Sequence, residues 1–426
     1  MIRYLLNALY QVALFLASPF WLWKVPQAPR YRAGLRERLG FVPARHSEGP
    51  CVWIHCASVG EASIPRELVA RFRDKYPEWE IVFSTFTNTG MERLRKLYPG
   101  STVFYWPLDL SWCVDRVIRR IRPDAVLLVE QELWPNFLLG CREAHVPVGI
   151  INGRMRPSSA RFVRGVVRIC RPVLESLKIV CARSKGDALR YQMAGLPESV
   201  VEVTGSLKYD ALPTSVDEGQ VDDMRELFAV DPEAPVLVAG STHPGEEEVL
   251  CGVWQRLRED HPGLRLILVP RHIERAERLE RELESMGYDV ARKTVLEKGS
   301  DAGGEDTVIL VDTIGDLITC YGMATCVFVG RSLLSPGGGQ NMMEPAALGR
   351  PVTVGPHTGN FEPEMKTLRR NNAVIEVEDR RELEQKMDEL LGDGECRESL
   401  GQRARQAVMD NKGAADRTLR ALDQLV

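Results

Sequence analysis

The sequence predicts an α/β protein of two Rossmann-like domains facing a cleft, preceded by an N-terminal membrane-associated helix. Three observations carry this reading. Short apolar runs alternate with longer amphipathic stretches from about residue 50 onward. A polar segment at 211–223, with a Pro and a Gly, interrupts that alternation near the middle. The stretch between Arg3 and Lys24 carries no charge.

Bulk properties narrow the class. A chain of 426 residues makes two or three domains at ~100–200 residues each. Its 44% hydrophobic and 27% charged residues exclude a disordered, collagenous or multi-span membrane chain. Lys and Arg total 55 against 59 Asp and Glu, so no basic domain for nucleic acid is expected. The ten cysteines form no CxxC pair, and Cys51/Cys56 and Cys320/Cys326 lack a zinc spacing. They read as buried thiols in a reducing compartment.

Taken in order, the first element is Tyr4 to Trp23. As a helix it extends ~30 Å, the thickness of a bilayer core. Asn7, Gln11 and Pro19 weaken its apolar character, and Trp21 and Trp23 stand where an interfacial belt forms. No small-residue cleavage site follows, so the segment is expected to stay attached. Lys24, Arg30, Arg32, Arg36, Arg38 and Arg45 come next, opposed only by Glu37. The positive-inside rule then puts the rest of the chain in the cytoplasm. The competing reading is a buried first helix. The expected divisions are an anchor helix at 1–24, a first Rossmann-like domain at 25–210 and a second at 211–426.

The first half offers strands at 51–55, 80–84, 103–105, 125–129, 148–152, 177–181 and 200–203. A helix is expected from Gly60 through Phe72. The second half offers strands at 236–240, 264–269, 308–311, 326–329 and 351–354. Strands separated by helices mean βαβ units and a parallel sheet, with ligands at the carboxyl ends of strands. The Glu- and Arg-rich run 273–286 reads as a solvated helix face.

The candidate site residues follow strands. Ser58-Val59-Gly60-Glu61 opens a helix, where Gly60 permits a tight turn. Glu61 is either a helix cap or a general base. Glu130 and Glu132, with Trp134 and Asn136, follow the most apolar strand and suit polyol recognition, although Glu130 equally fits an ion pair with an Arg. In the second half, Gly337-Gly338-Gly339-Gln340-Asn341 precedes a helix opening near Met342. Its backbone N–H groups and helix end suit an anion, Asn341 suits a phosphate oxygen and Glu344 a ribose diol. The spacing is neither GxxxxGK[ST] nor GxGxxG. Arg271, in Pro270-Arg271-His272, suits a phosphate. His243, His272 and His357 lie at strand ends without HxxxH spacing, so no metal site is expected. The absence of GxSxG argues against an α/β-hydrolase.

Together these motifs resemble the 3-deoxy-D-manno-octulosonic acid (Kdo) transferases of bacterial lipid A assembly. The resemblance rests on Tyr31-Arg32 to Gly40, Trp53-Ile54-His55, Ser58-Val59-Gly60-Glu61, Glu132-Leu133-Trp134-Pro135-Asn136, Gly240-Ser241-Thr242-His243, Pro270-Arg271-His272, Gly338 to Asn341 with Glu344-Pro345-Ala346-Ala347-Leu348-Gly349, and Gly355-Pro356-His357-Thr358. It implies the GT-B glycosyltransferase fold and an inverting transfer of Kdo from CMP-Kdo to a lipid A precursor, lipid IVA, without a metal or other cofactor. It implies Glu61 as the catalytic base. It implies donor contacts from Arg271, His272, Gly338, Gly339, Asn341, Glu344 and Lys208, and acceptor contacts from Ser58, Gly60, Glu132 and Arg154. The chain departs from the family's usual residues at Arg331 (Gly), Gln340 (His) and Ser206 (Asn), and over Asn152 to Arg156. The competing functions are another enzyme of this fold, such as a nucleotide-sugar epimerase or lipid A disaccharide synthase, and a non-catalytic binder of glycolipid or nucleotide at the membrane.

Overall fold

Seven apolar runs of the first half become one parallel sheet in the computed structural model, which describes residues 2–24, 33–165 and 167–425. The strands are β1 (Cys51–His55), β2 (Glu80–Thr85), β3 (Val103–Tyr105), β4 (Ala125–Val129), β5 (Val148–Gly153), β6 (Leu177–Ala182) and β7 (Val201–Val203). They lie in the order β3-β2-β1-β4-β5-β6-β7. Every residue of β1 and β4 is buried, because helices cover both faces of a parallel sheet. Chain order reverses between β1 and β4, which pair from Val52↔Ala125 to His55↔Leu128.

The second unit repeats the plan with β8 (Val236–Thr242), β9 (Arg265–Pro270), β10 (Asp289–Arg292), β11 (Thr307–Leu310), β12 (Cys326–Val329), β13 (Val352–Val354) and β14 (Ile375–Glu376). Their order is β10-β11-β9-β8-β12-β13-β14, with the reversal between β8 and β12. Two of these strands have no counterpart in the sequence reading. β10 is a half-exposed edge with Asp289 and Arg292 at its ends, and β14 is two residues long, so neither forms an apolar run.

The chain divides into Met1–Ala211 with Asn411–Val426, and Leu212–Asp410. The sequence reading kept 411–426 in the second domain; the structure returns it to the first. Asp210 accepts from the backbone N–H groups of Gly413 (2.6 Å) and Ala415 (2.7 Å), and so caps helix Ala414–Leu422. Ala414, Ala415, Ala421 and Leu422 then join the core around Val52, Ile54 and Leu127. A second correction concerns the helix expected from Gly60 to Phe72. It is two helices, Val59–Ala62 and Arg66–Lys75, because Pro65 disfavours helical geometry in the residue before it.

Helix Ile2–Lys24 is docked along one face, and described apolar side chains on another are exposed. Arg3 pairs with Asp115 (2.6 Å) and Glu143. Asn7 donates to Ser111 Oγ at 2.6 Å and accepts from Asn136 Nδ2 at 3.0 Å, and Tyr10 donates to Asp109 at 3.0 Å. Leu6 packs on the core. On the outer side, Tyr4, Leu5 (71% exposed), Leu9, Val12, Phe15 and Leu16 (74%) share a helical stripe. Among the described residues no helix is long and apolar enough to cross a membrane. The basic segment is also thinner than its sequence implies. Arg45 is paired with Glu80 at 2.8 Å, its side chain 5% exposed, and Arg38 donates to the Phe86 carbonyl and lies over the Tyr105 ring. Tyr31, Arg32 and Arg30 lie outside the described residues.

Candidate active site

In the first unit the notable side chains gather where chain order reverses, at the carboxyl ends of β1 and β4. The floor is aromatic. His55 lies against Trp106, ring centroids 3.8 Å apart, and Trp53 meets Phe137 edge-on at 5.1 Å. His55 is wholly buried, which pushes its pKa down to about 3, so its imidazole is neutral at physiological pH.

The chain leaves β1 through Cys56-Ala57-Ser58 and enters the short helix with Ser58 extended (φ −140°) as N-cap. Glu61, three residues on, accepts from the Ala57 N–H through Oε2 at 2.8 Å, while Oε1 lies 3.5 Å from Ser58 Oγ. Burial is the main force on this carboxyl and raises its pKa to about 7. The Ala57 and Ser58 donors oppose the rise, and the charges of Glu130 and Glu132 add to it. The cap and the poised acid are therefore one residue: one oxygen takes the Ala57 N–H and the other has only the long contact from Ser58 Oγ. Gly60 behaves differently from expectation. It is exposed, and an added Cβ would meet only Ser58 Oγ, at 3.8 Å, so the turn does not demand a glycine.

Glu130 ends β4 in the left-handed region (φ 62°), held by the bond from Tyr191 OH to its carbonyl at 3.1 Å. Its carboxylate lies 3.6 Å from Lys208 Nζ, so its ion-pair partner is a lysine and not an arginine. Lys208 thus belongs to the first unit, beside the carboxylates. Arg154 joins the same rim, its N–H reaching the Glu130 carbonyl at 3.4 Å. Glu132 accepts from Trp134 Nε1 at 2.7 Å, and burial raises its pKa. Beside it opens a 550 Å³ cavity lined by Tyr10, Glu132, Trp134, Pro135, Phe162 and Val163. Asn136 does not take part. It is fully buried, with its amide donating to Asn7 and to the Asp109 carbonyl, which makes it a strut for the first helix.

The second unit presents its candidates at the ends of β8, β9, β12 and β13. Gly338 (φ 132°) and Gly339 (φ 78°) take conformations that side chains resist, and a Cβ on Gly338 would collide with Asn360. Asn341 donates to Glu344 Oε1 at 2.9 Å and accepts from the Met343 N–H at 3.2 Å. The helix it opens, Met343–Ala347, has five residues, too short for a substantial dipole, so the expected helix-end contribution to anion binding is reduced to local N–H groups. Burial raises the Glu344 pKa, and Asn341 and Arg271 counter it, which puts Arg271 near that carboxylate. Arg271 and His272 are exposed at the end of β9. His272 meets the ring of His243 edge-on at 5.7 Å, and the Gln340 amide donates to His243 Nε2 at 3.2 Å.

Sequence reasoning missed the residue that organises this end of the sheet. Glu246, 1% exposed, accepts from the N–H groups of His243 (2.9 Å), Arg331 (2.7 Å), Ser332 (2.9 Å) and Leu333 (3.1 Å). It ties the loop after β8 to the loop after β12. An acidic residue opening a helix was its only signal. Among the described residues no group of three or more His, Cys, Asp or Glu side chains is placed to hold a metal ion.

Comparison with known proteins fits this arrangement. The family model described as 3-Deoxy-D-manno-octulosonic-acid transferase (kdotransferase) matches residues 33–211. The 3-deoxy-D-manno-octulosonic acid transferase of Haemophilus influenzae is 34% identical over 398 residues, 92% of this chain and 91% of that protein. The Bordetella pertussis protein of the same description is 31% identical over 437 residues, 98% and 99% of the two chains. The UDP-GlcNAc 2-epimerase of Neisseria meningitidis bound to UDP-GlcNAc aligns with a TM-score of 0.60 over 88% of this chain and 100% of that one. At 14% identity the last likeness concerns the fold alone. With relatives matched along nearly their whole length, the chain belongs to the 3-deoxy-D-manno-octulosonic acid transferase family and is a glycosyltransferase.

Proposed function

We propose that the protein moves Kdo from CMP-Kdo to a lipid A precursor, lipid IVA, with inversion at the anomeric carbon. The observation that carries this reading is Glu61: a carboxyl just beyond the end of β1 with a pKa near 7 and one oxygen held only by a long contact from Ser58 Oγ. A base of that strength is half-ionised at neutral pH and can take the proton of an acceptor hydroxyl. As it does so, the hydroxyl oxygen bonds to the anomeric carbon and the bond from that carbon to the phosphate oxygen breaks, releasing CMP. Inversion follows from attack opposite the leaving phosphate.

The roles of the other residues follow from their chemistry. The Gln340 and Asn341 N–H groups of the glycine-rich loop and Arg271 stabilise the leaving phosphate, and His272 flanks it. Glu344, steadied by Asn341, accepts from the ribose. Ser58, Glu132 and Arg154 line the acceptor's sugar head. Lys208, whose ammonium pairs with Glu130, contacts the donor. A monophosphate ester carries less charge than a diphosphate, which fits a reaction without metal. We further propose that the exposed apolar stripe of helix Ile2–Lys24 seats the first unit on the cytoplasmic face of the inner membrane, where the acceptor lies.

Mass spectrometry of the lipid made by purified protein from CMP-Kdo and lipid IVA tests the reading. A Kdo-bearing product is expected, and turnover should persist in excess EDTA. Absence of that product, or epimerisation of a sugar nucleotide instead, overturns it.

A further inference from the structure

Arg331 is the second residue beyond β12, after Gly330, beside the point where chain order reverses in the second sheet. Its φ is 56°, in the region where an L side chain is strained and glycine is the default. The backbone is held there from two sides. Its N–H donates to Glu246 at 2.7 Å, and its carbonyl accepts from the Gly339 N–H at 2.8 Å. Neither contact uses the side chain, and a glycine would serve both. The strain is therefore carried for the guanidinium.

That guanidinium is half-buried and makes no hydrogen bond or ion pair among the described residues. Its charge reaches His243, which burial already holds below its usual pKa and which Glu246 pulls the other way. The other cations at this end of the sheet differ in position. Arg275 is paired with Glu247, and Arg271 acts on Glu344. Arg331 is thus a cation beside the glycine-rich loop with no anion of its own.

We propose that Arg331, where the family usually has Gly, adds to this chain a contact with the carboxylate of the transferred sugar acid and so tightens its hold on the acidic donor. The inference rests on the donor proposed above. Such a donor carries two anions, the phosphodiester and a carboxylate on the anomeric carbon. The loop and Arg271 account for the first. The planar, two-pronged guanidinium matches the second. Because the carboxylate is present in both donor and transition state, this contact acts on donor binding more than on the chemical step.

The test is Arg331→Gly, a change that relieves the backbone and so does not endanger folding. Affinity for CMP, which lacks the carboxylate, is expected to stay within about twofold, while the KM for CMP-Kdo rises ~10–100-fold, as for loss of a charged hydrogen bond. Arg331→Lys should fall between. An unchanged KM for CMP-Kdo, or equal weakening of CMP and CMP-Kdo, overturns the assignment while leaving the transferase reading intact. Wild-type protein that neither binds CMP nor uses CMP-Kdo overturns both.

Discussion

The Ala57 N–H and Glu61 Oε2 meet at 2.8 Å, so the proposed base is also the residue that closes its own helix. Capping and catalysis are often treated as rival explanations for an acidic residue at a helix start. Here the two oxygens separate them. Replacing Glu61 with Gln keeps an oxygen for the Ala57 N–H but removes the proton acceptor. Transfer should fall by about 10²–10⁴ while CMP binding and fold persist. Near wild-type turnover would reduce Glu61 to its capping role.

The pH dependence has a definite sign. With a pKa raised from 4.5 to about 7, Glu61 is protonated in the folded protein over a window in which the unfolded chain has lost that proton. Its contribution to stability therefore falls as pH rises from 4.5 to 7, and is level above. The rate constant kcat/KM should rise through the same upper limit. Chemical denaturation of wild type and Glu61→Gln at pH 5 and pH 8 should show the variant gaining relative stability at the higher pH. A pH-independent difference contradicts the assignment.

Glu246 gives the largest expected loss. Its removal strands four backbone N–H groups from two loops. At ~1–3 kcal/mol for each unsatisfied buried group, and with some rehydration, Glu246→Ala should cost at least ~3 kcal/mol in urea unfolding. CMP affinity should weaken with it, since the Arg331 turn and Gly339 hang from the same contact. A stable variant with intact CMP binding would show that the loops hold themselves.

The first helix is best probed on its outer face. Leu5→Ser, Leu9→Ser and Leu16→Ser together remove apolar area from the stripe while leaving Arg3, Asn7 and Tyr10 docked. Binding to anionic lipid vesicles should drop and CMP affinity should not. Unaltered vesicle binding, or a lowered melting temperature, would indicate that the stripe is covered by protein.

How much of this the sequence disclosed depends on the kind of interaction involved. β1, β4 and β12 are readable because both sheet faces are buried, leaving uninterrupted apolar runs such as Ala125–Val129. Glu61 and the glycine-rich loop are readable because each lies between a strand and a helix. What stayed hidden depends on tertiary partners. Arg45 looks like surface charge until Glu80 is brought to it, and Asn136 looks like a ligand contact until Asn7 arrives from the first helix. Glu246 is one acid among three at a helix start, and only the approach of 331–333 gives it its donors. Helix Ala414–Leu422 is plainly amphipathic, but its period does not say which unit it covers.

That last helix sets an order of assembly on the ribosome. The first unit contributes core residues up to Leu425, whereas the second is complete at Asp410. At ~5–20 residues per second, the roughly 200 residues of the second unit take about 10–40 s to emerge. Through that interval the nascent first sheet lacks the helix that covers Ile54 and Leu127. The domain begun first is thus finished after the second, and a stop codon just beyond Asp410 leaves the second unit whole and the first without its closing helix.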